Sequence, residues 1–542
     1  VKKIDMPKFK LLLFIIGLSL LVTSCAKRGS ITGGLKDTIP PTIVSSSPKN
    51  MSTNFSGNTI RINFSEYIKI KDVNKQLIIS PPLKNQPNIV PAGAASRYIN
   101  ITLRDTLQPN TTYSFNFGQS ITDNNEGNPY SQFRFVFSTG SYIDSLAQAG
   151  NIKDAYNREP DNFVTVMLYE ANETYNDSTI YKEKPRYVTN TLDSAVVFSL
   201  QNLKAGKYHM FALKDAGNNY VYNPKVDKLA FLDKLITVPS DTLHQLKLFK
   251  EKGRYKALKP SQTSSNRLFL GYEGKDPRDI KVSVKNGTGT EDIKSVVTNV
   301  QDKDSLQIWL PRGQKDSLQI EVTRRDVTNN FVVKLKEMKA ADSLTVNAVQ
   351  KGGLHFREKF TVTASTPLVT IDASKITLIN KDSVAVPFTQ AYNDLKQEIV
   401  FDFEKEENQK YNFTAMPGAM TDFYGKANDT LNFNLSTRSY ADYGNLRVNL
   451  ENVKRFPVIV QITDAKGKVY AEYYSEKETE INFDAILPAK YLLRVIYDDN
   501  KNKEWDTGDY LNKIQPEEVI YFPKEIDVRD NWDVEQPFPV GG

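Results

Sequence analysis

An all-β chain built from tandem small β-sandwiches is what this sequence predicts. Three observations carry the prediction. Short runs alternate apolar and polar residues with period two, as in Thr59-Ile60-Arg61-Ile62-Asn63-Phe64, where Ile60, Ile62 and Phe64 face one way. Tyr and Phe are plentiful, at 27 and 28, which suits half-buried strands. Long Ala/Leu/Glu helical runs are absent. At 542 residues the chain exceeds what one hydrophobic core organises, so several domains are expected.

The chain opens on a different kind of segment. Leu11 to Cys25 reads LLLFIIGLSLLVTSC, and Lys2, Lys3, Lys8 and Lys10 precede it. A basic stretch followed by an apolar run of this length is a secretory signal, too short and too interrupted for a comfortable spanning helix. It ends in the chain's one cysteine. Leu21-Val22-Thr23-Ser24-Cys25 resembles a bacterial lipobox, with Ser24 as the small residue before the cysteine. The resemblance implies that residues 1–24 are removed and that Cys25 carries lipid on its thiol and on its new amine. Each buried methylene contributes about 0.8 kcal/mol, so two or more acyl chains such as palmitate hold a protein firmly on a membrane. An uncleaved membrane helix with an idle cysteine is the competing reading, and the position of a lone Cys at this border argues against it. Residues 25–39 form a tether in which Gly29, Gly33 and Gly34 keep the backbone free. No later apolar run approaches membrane length. With Cys25 used, no disulfide is available and the domains depend on ordinary cores. The net charge is +6, without a basic block or a nucleic-acid module, so no nucleic-acid partner is expected.

The first domain spans 40–140. Phe133, Phe135 and Phe137 repeat the alternation of Ile60, Ile62 and Phe64, and Pro109-Asn110 makes a turn before a strand. The stretches PPTIVSSSP, IRINFSEYI, LQPNTTYSFNFGQSITDNNEGNP and FRFVFSTG, in this order, resemble the bacterial Ig-like domain of S-layer and surface proteins. That resemblance implies a β-sandwich and no chemistry. Asp123, Asn124, Asn125 and Glu126 make a polar loop before Gly127, either a calcium site or, more simply, a hairpin turn. The second domain spans 149–248. Val196–Leu200, then Asn202-Leu203-Lys204-Ala205-Gly206-Lys207-Tyr208 and the run His209–Lys214, resemble the transthyretin-like or carboxypeptidase-regulatory sandwich, which implies binding or structure. Glu251 to Ser265 reads as a linker, and 266–349 as a spacer sandwich that includes the run Leu344–Val349. In 350–437, Thr421-Asp422 and Gly425 precede a closing strand as Thr122-Asp123 and Gly127 do, which marks this domain as a degenerate Ig-like copy. The last domain spans 445–542, and Glu480-Ile481-Asn482-Phe483-Asp484-Ala485-Ile486-Leu487-Pro488-Ala489-Lys490-Tyr491 parallels FSLQNLKAGKY of the second, a resemblance that implies a second transthyretin-like sandwich. Asp followed by Ser or Thr and Leu, as at Asp241, Asp304 and Asp316, turns the chain before a strand.

One loop has the composition of a ligand site. Asp498, Asn500, Asn502, Glu504, Asp506 and Asp509 place oxygen side chains at nearly alternate positions, a pattern that can wrap calcium. It departs from an EF-hand, with Lys503 where the turn glycine belongs and Asp509 where a bidentate Glu belongs. The other reading is a long hairpin whose Trp505 packs on the sandwich. No cofactor is required in either case. In the tail, Trp532 either buries against its own domain or marks a partner surface.

The three histidines, His209, His244 and His355, stand far apart, and no HExxH, GxSxG or Walker glycine loop is present, so an enzyme is not expected. The mature chain resembles Ig-like-domain lipoproteins of the Bacteroidota, which are commonly outer-membrane and often exposed on the cell surface. Some such lipoproteins ride on β-barrel machines that export or insert proteins. The resemblance implies an accessory subunit on an outer-membrane β-barrel protein or complex: a lipid foot on Cys25, a rod of β-domains and a loop-rich far end. Ala26-Lys27-Arg28 supplies no acidic sorting tract, so the leaflet stays open. The alternative is a surface lipoprotein that binds glycan or another substrate.

Overall fold

The computed structural model describes residues 37–191, 196–253, 255–274, 279–300, 303–325, 327–339 and 342–541. The leader, the lipobox and Cys25 lie outside the described residues. Among those described, α-helix is limited to one turn at Val73–Gln76, and no helix is long and apolar enough to cross a membrane. Everything else of regular structure is strand, apart from single 3-10 turns. The chain divides into two compact units, the first sandwich and the four that follow.

In the first unit, strand Thr59–Ile70 is the spine. It pairs with Ile43–Ser47 on one side and Ser96–Thr102 on the other. Its alternation buries Ile60, Ile62 and Ile68 completely. The facing sheet is Ile78–Ser80, Thr112–Asn116 and Arg134–Ser138. Phe115, Phe117, Phe135 and Phe137 fill the space between the two sheets, and Phe55 closes it with its ring 4.4 Å from that of Phe137.

The fourth sandwich repeats this plan. Its sheets are Val346–Ala348, Phe360–Ala364, Glu398–Asp402 and Thr389–Asn393 against Ile376–Asn380, Lys410–Ala415 and Leu431–Ser436. Even the fixing hydrogen bonds recur. Tyr113 Oη accepts from Gln108 N at 2.9 Å, and Tyr411 Oη accepts from Glu406 N at 2.8 Å. Thr139 Oγ1 accepts from Thr111 N and donates to Gln108 O, while Thr437 Oγ1 accepts from Gln409 N and donates to Glu406 O. Asp123 Oδ1 takes the N–H groups of Glu126 and Gly127, and its Oδ2 takes that of Asn128. Asp422 takes those of Tyr424 and Lys426, plus the Thr366 hydroxyl. These carboxylates hold the backbone of a tight turn, the hairpin role.

The second and fifth sandwiches share another plan. Tyr187–Asn190, Thr165–Glu170, Gly206–Lys214 and Lys228–Phe231 form one sheet, and Val197–Leu203, Leu146–Asp154 and His244–Leu248 the other. The fifth has Val469–Ser475, Val458–Thr463, Ala489–Tyr497 and Val519–Tyr521 over Glu480–Ile486, Gly444–Glu451 and Asp533–Pro539. In both, the last strand pairs parallel to the first. The "GKY" and "AKY" tyrosines close the same turn, Tyr208 Oη donating to Lys204 O at 2.9 Å and Tyr491 Oη to Leu487 O at 2.6 Å. Asn202 and Ala485 hold the left-handed residue of that turn at φ 59 and φ 49.

The third sandwich differs from the reading of the sequence at both ends. Lys256–Ala257 and Ser261–Ser264, inside the expected linker, pair with Arg267–Glu273 and belong to its sheet. Leu344–Val349 belongs instead to the fourth sandwich, where Val346–Ala348 pairs with Phe360–Ala364 and Leu344 joins that core. Alternation shows that a run is a strand but not which sheet receives it.

Within the second unit the sandwiches do not form a rod. Lys225 meets Glu273 of the third sandwich at 3.4 Å. Asn299 N bonds Leu395 O of the fourth, and Tyr424 Oη bonds Leu310 O of the third. Arg357 reaches Asp484 O of the fifth. The fifth then returns to the second, so the contacts close in a circuit. The loop-rich far end is the part that docks.

Candidate functional site

The docking elements are two long loops at matching places in the second and fifth sandwiches. Each leaves the third strand of its larger sheet and is closed by a pair of acids. In the second sandwich, Asp215 Oδ2 accepts from Asn219 N and Tyr220 N, and Asp227 accepts from Ala216 N and Asn223 N. In the fifth, Asp498 accepts from Asn502 N and Lys503 N, and Glu517 accepts from Asp499 N and Asp506 N. The left-handed positions correspond too: Asn218 and Tyr220 at φ 50 and φ 62, Lys501 and Lys503 at φ 62 and φ 66. Lys503 thus adopts the backbone a glycine would supply, and its ammonium lies 5.0 Å over the Tyr474 ring. Burial pushes the Glu517 carboxyl above the ordinary range, opposed by its N–H donors and assisted by the charge of Asp498. Burial likewise raises Asp215.

Of the six residues singled out for calcium, the fold gathers four. Asp498 is fully buried and holds the turn. Asp506 Oδ2 receives the side-chain amide of Asn500 at 2.5 Å and that of Asn502. The carbonyl oxygens of Asn500 and Asn502 in turn accept from Asn502 N and Glu504 N. Asp509 belongs to the next turn, where it accepts from Asn512, and Glu504 is exposed on the loop. Among the described residues, no group of three or more His, Cys, Asp or Glu side chains is placed to hold a metal ion. Glu517 is the loop acid the sequence pattern missed; only its alignment with Asp227 across the two sandwiches signals it.

The remaining loop residues reach the other sandwich. Trp505 donates its indole N–H to Glu517 O, and its ring lies 4.6 Å from that of Tyr156. Its ring thus meets the second sandwich while its N–H stays bonded to the fifth. Thr507 Oγ1 donates to Lys250 O at 2.7 Å. Gly508 lies on the Phe249 ring so closely that a Cβ would stand 2.6 Å from it. Tyr510, 1% exposed, enters an aromatic nest of Tyr181, Phe211 and Phe231. Its backbone N–H goes to Glu251 and its hydroxyl meets that of Tyr175 at 3.0 Å. Lys513 pairs with Asp177 at 2.6 Å, holding that carboxyl below its usual range. Arg494, fully buried in the fifth sandwich, donates to Gln461, to Tyr521 Oη and, across the junction, to Tyr156 Oη at 2.6 Å. Its guanidinium carbon is 4.2 Å from the Tyr156 ring centre, so an aromatic face takes up part of the charge.

Trp532 is not buried in its own domain. It is 54% exposed, with the Arg529 guanidinium 5.0 Å over its ring. Phe356 and Tyr440 stack 4.3 Å apart nearby in the chain's fold, since Asn531 N bonds Tyr443 O.

Over the described residues the geometry defines a repetitive all-β protein of tandem small sandwiches with a single turn of α-helix. A family model for the bacterial Ig-like domain matches residues 37–139. No curated protein matches the sequence. Among solved structures, surface layer protein SbsC (domains 1–6) is similar at 12% identity, over 90% of this chain and 67% of that one, with a TM-score of 0.15. The tandem Ig repeats of Dlar are similar at 12% identity over 34% of this chain and 98% of that one, with a TM-score of 0.13.

Proposed function

We propose that this chain is a non-catalytic, lipid-anchored accessory subunit of an outer-membrane assembly, held by acyl chains on Cys25 and riding on a β-barrel protein that exports or inserts other proteins. The observation that carries the reading is the junction of the second and fifth sandwiches. Buried Arg494 and Tyr510 and half-buried Tyr521 of the fifth sandwich bond to half-buried Tyr156 and Glu251 of the second, so the loops with the most polar chemistry hold the body together. Such a body presents a fixed surface to a partner. The test is affinity capture of the tagged full chain from detergent-solubilised membranes. A barrel protein should co-purify in stoichiometric amount, and Cys25→Ser should release the chain from the membrane fraction. Capture of the chain alone would defeat the proposal.

A second reading, a surface lipoprotein that binds glycan, draws on the exposed ring of Trp532 and the stacked Phe356–Tyr440 pair, 55% of Tyr440 being exposed. Glycan-array binding that disappears in Trp532→Ala and Tyr440→Ala would favour it.

A further inference from the structure

Beside the docked loops lies a cleft of about 540 Å³, within the size range of ligand pockets. Its floor is the outer face of the sheet made by Leu146–Asp154 and His244–Leu248, and one wall is the strand Val519–Tyr521 with Glu518. Two features of this lining are not explained by the fold.

The first is charge. The parallel register sets Lys247 directly beside Lys153, both pointing away from a core that holds Ile152 and Leu246. Like charges opposed on a sheet face are destabilising. Among the described residues no carboxylate pairs with either lysine. The acids of the lining are engaged elsewhere: Asp154 accepts from Lys228 at 2.7 Å, and Glu518 pairs with Arg455 at 3.3 Å. Lys454, from the fifth sandwich, lies 3.8 Å from Glu518 and shares that carboxylate with Arg455.

The second is backbone. Strand Val519–Tyr521 is the last of its sheet and pairs on one edge only, with Arg494–Ile496. Tyr497 N bonds Glu518 O and Phe522 N bonds Leu493 O. By the alternation of an antiparallel ladder, Val519 and Tyr521 therefore turn their N–H and C=O groups to the open edge. An edge strand with unpaired N–H and C=O groups is a template for an added strand; lysines beside it discourage a second copy of this chain and favour a strand of opposite charge.

We propose that this cleft takes an extended acidic polypeptide segment of a partner protein, which adds as a strand to Val519–Tyr521 and sets its carboxylates on Lys153 and Lys247. The chain's own amino-terminal tether is of the wrong sign, with Lys27, Arg28 and Lys36 against Asp37. The proposal deepens the accessory-subunit reading, on which it rests only for the origin of the segment.

The experiment is fluorescence anisotropy of the purified full chain with a labelled heptapeptide of alternating valine and glutamate. Saturable binding is expected, weakened about tenfold or more by Lys153→Glu with Lys247→Glu, two solvent-facing changes. Val519→Pro, which removes an edge N–H without touching the existing ladder, should also weaken it. A backbone N-methylated peptide of the same charge should not bind. Equal affinity for the N-methylated peptide, for a valine–lysine peptide, or for the charge-reversed protein would overturn the proposal. The failure of each reading is separate: absence of peptide binding while a barrel protein co-purifies sinks the cleft alone, and peptide binding without barrel capture supports the cleft while sinking the accessory reading.

Discussion

The loops Asp215–Asp227 and Asp498–Glu517 start from one design and end in different roles. Both are closed by two acids that accept the same four backbone N–H groups. In the second sandwich the chain turns back at once, through Asn223 and the N–H groups of Val226 and Asp227. In the fifth, the loop is longer at that point, and its stretch Thr507–Gln515 carries the contacts to Lys250, Phe249, Glu251, Asp177 and Phe231. The acid pair makes a loop; the added length makes it a clamp. A frame that satisfies its own amides leaves the residues of that stretch free to bury apolar surface elsewhere.

This division can be broken at Thr507–Gln515 without touching the frame. Tyr510→Ala should have the largest effect, about 3–5 kcal/mol for an aromatic residue removed from a buried nest. Denaturant unfolding of the full chain should show it, and amide exchange should rise in Gly206–Lys214 and Lys228–Phe231 while the Asp498 turn stays protected. If the turn opened as well, frame and clamp would be one cooperative element. Gly508→Val should follow at about 1–3 kcal/mol, since the new side chain would collide with Phe249. On the shorter loop, Tyr222→Phe removes a hydroxyl that donates to Glu251 at 2.6 Å and should cost about 1.5 kcal/mol, well below Tyr510→Ala.

The strands were readable because their signal is local. Ile60, Ile62 and Phe64 alternate within one run, and the "GKY" turn recurs at Tyr491 within a few residues. The pairing of Val346–Ala348 with the fourth sandwich was not, since nothing in the run names its partner. Lys256–Ala257 and Ser261–Ser264 are too short and polar to show alternation, and pairing alone makes them strands. At the candidate site, the acidic composition of Asp498–Asp509 was visible, but its use was not. Tyr510 meets residues more than 250 positions away, as its bond to Glu251 shows, and such docking leaves no mark in local sequence. Glu517 escaped because it closes the loop from its far end.

The acids of the clamp and of the first unit should also separate by pH. In Glu517 burial raises the carboxyl, so the folded chain holds that proton more tightly than the unfolded chain. Its contribution is full below the unfolded value, about 4.3, and is lost as pH rises through the raised one. In Asp123 burial acts upward, but the N–H groups of Gly127, Asn128, Glu126 and Asn125 outweigh it and leave the carboxyl lowered. Its contribution is present above the unfolded value, about 3.9, and is lost as pH falls through the lowered one. Acidification toward the unfolded carboxyl value should therefore increase exchange protection over 499–518, corrected for intrinsic rates, and acid below that value should release 121–128. Glu517→Gln should remove the first response and leave the second. Matching responses in both segments would mean the acids do not govern them.

The smallest effect expected is that of calcium on the longer loop. Asn500 and Asn502 already turn their carbonyl oxygens to backbone N–H groups and their amides to Asp506. A cation would have to displace those bonds and overcome Lys501 and Lys503 beside it, at little gain over a turn that is already satisfied. We propose that millimolar calcium shifts the melting temperature of the full chain by less than about 1 °C. A rise of several degrees, abolished by Asp506→Ala and absent when magnesium replaces calcium, would reassign the loop from clamp to cation site. It would also make the two loops differ in chemistry as well as in length.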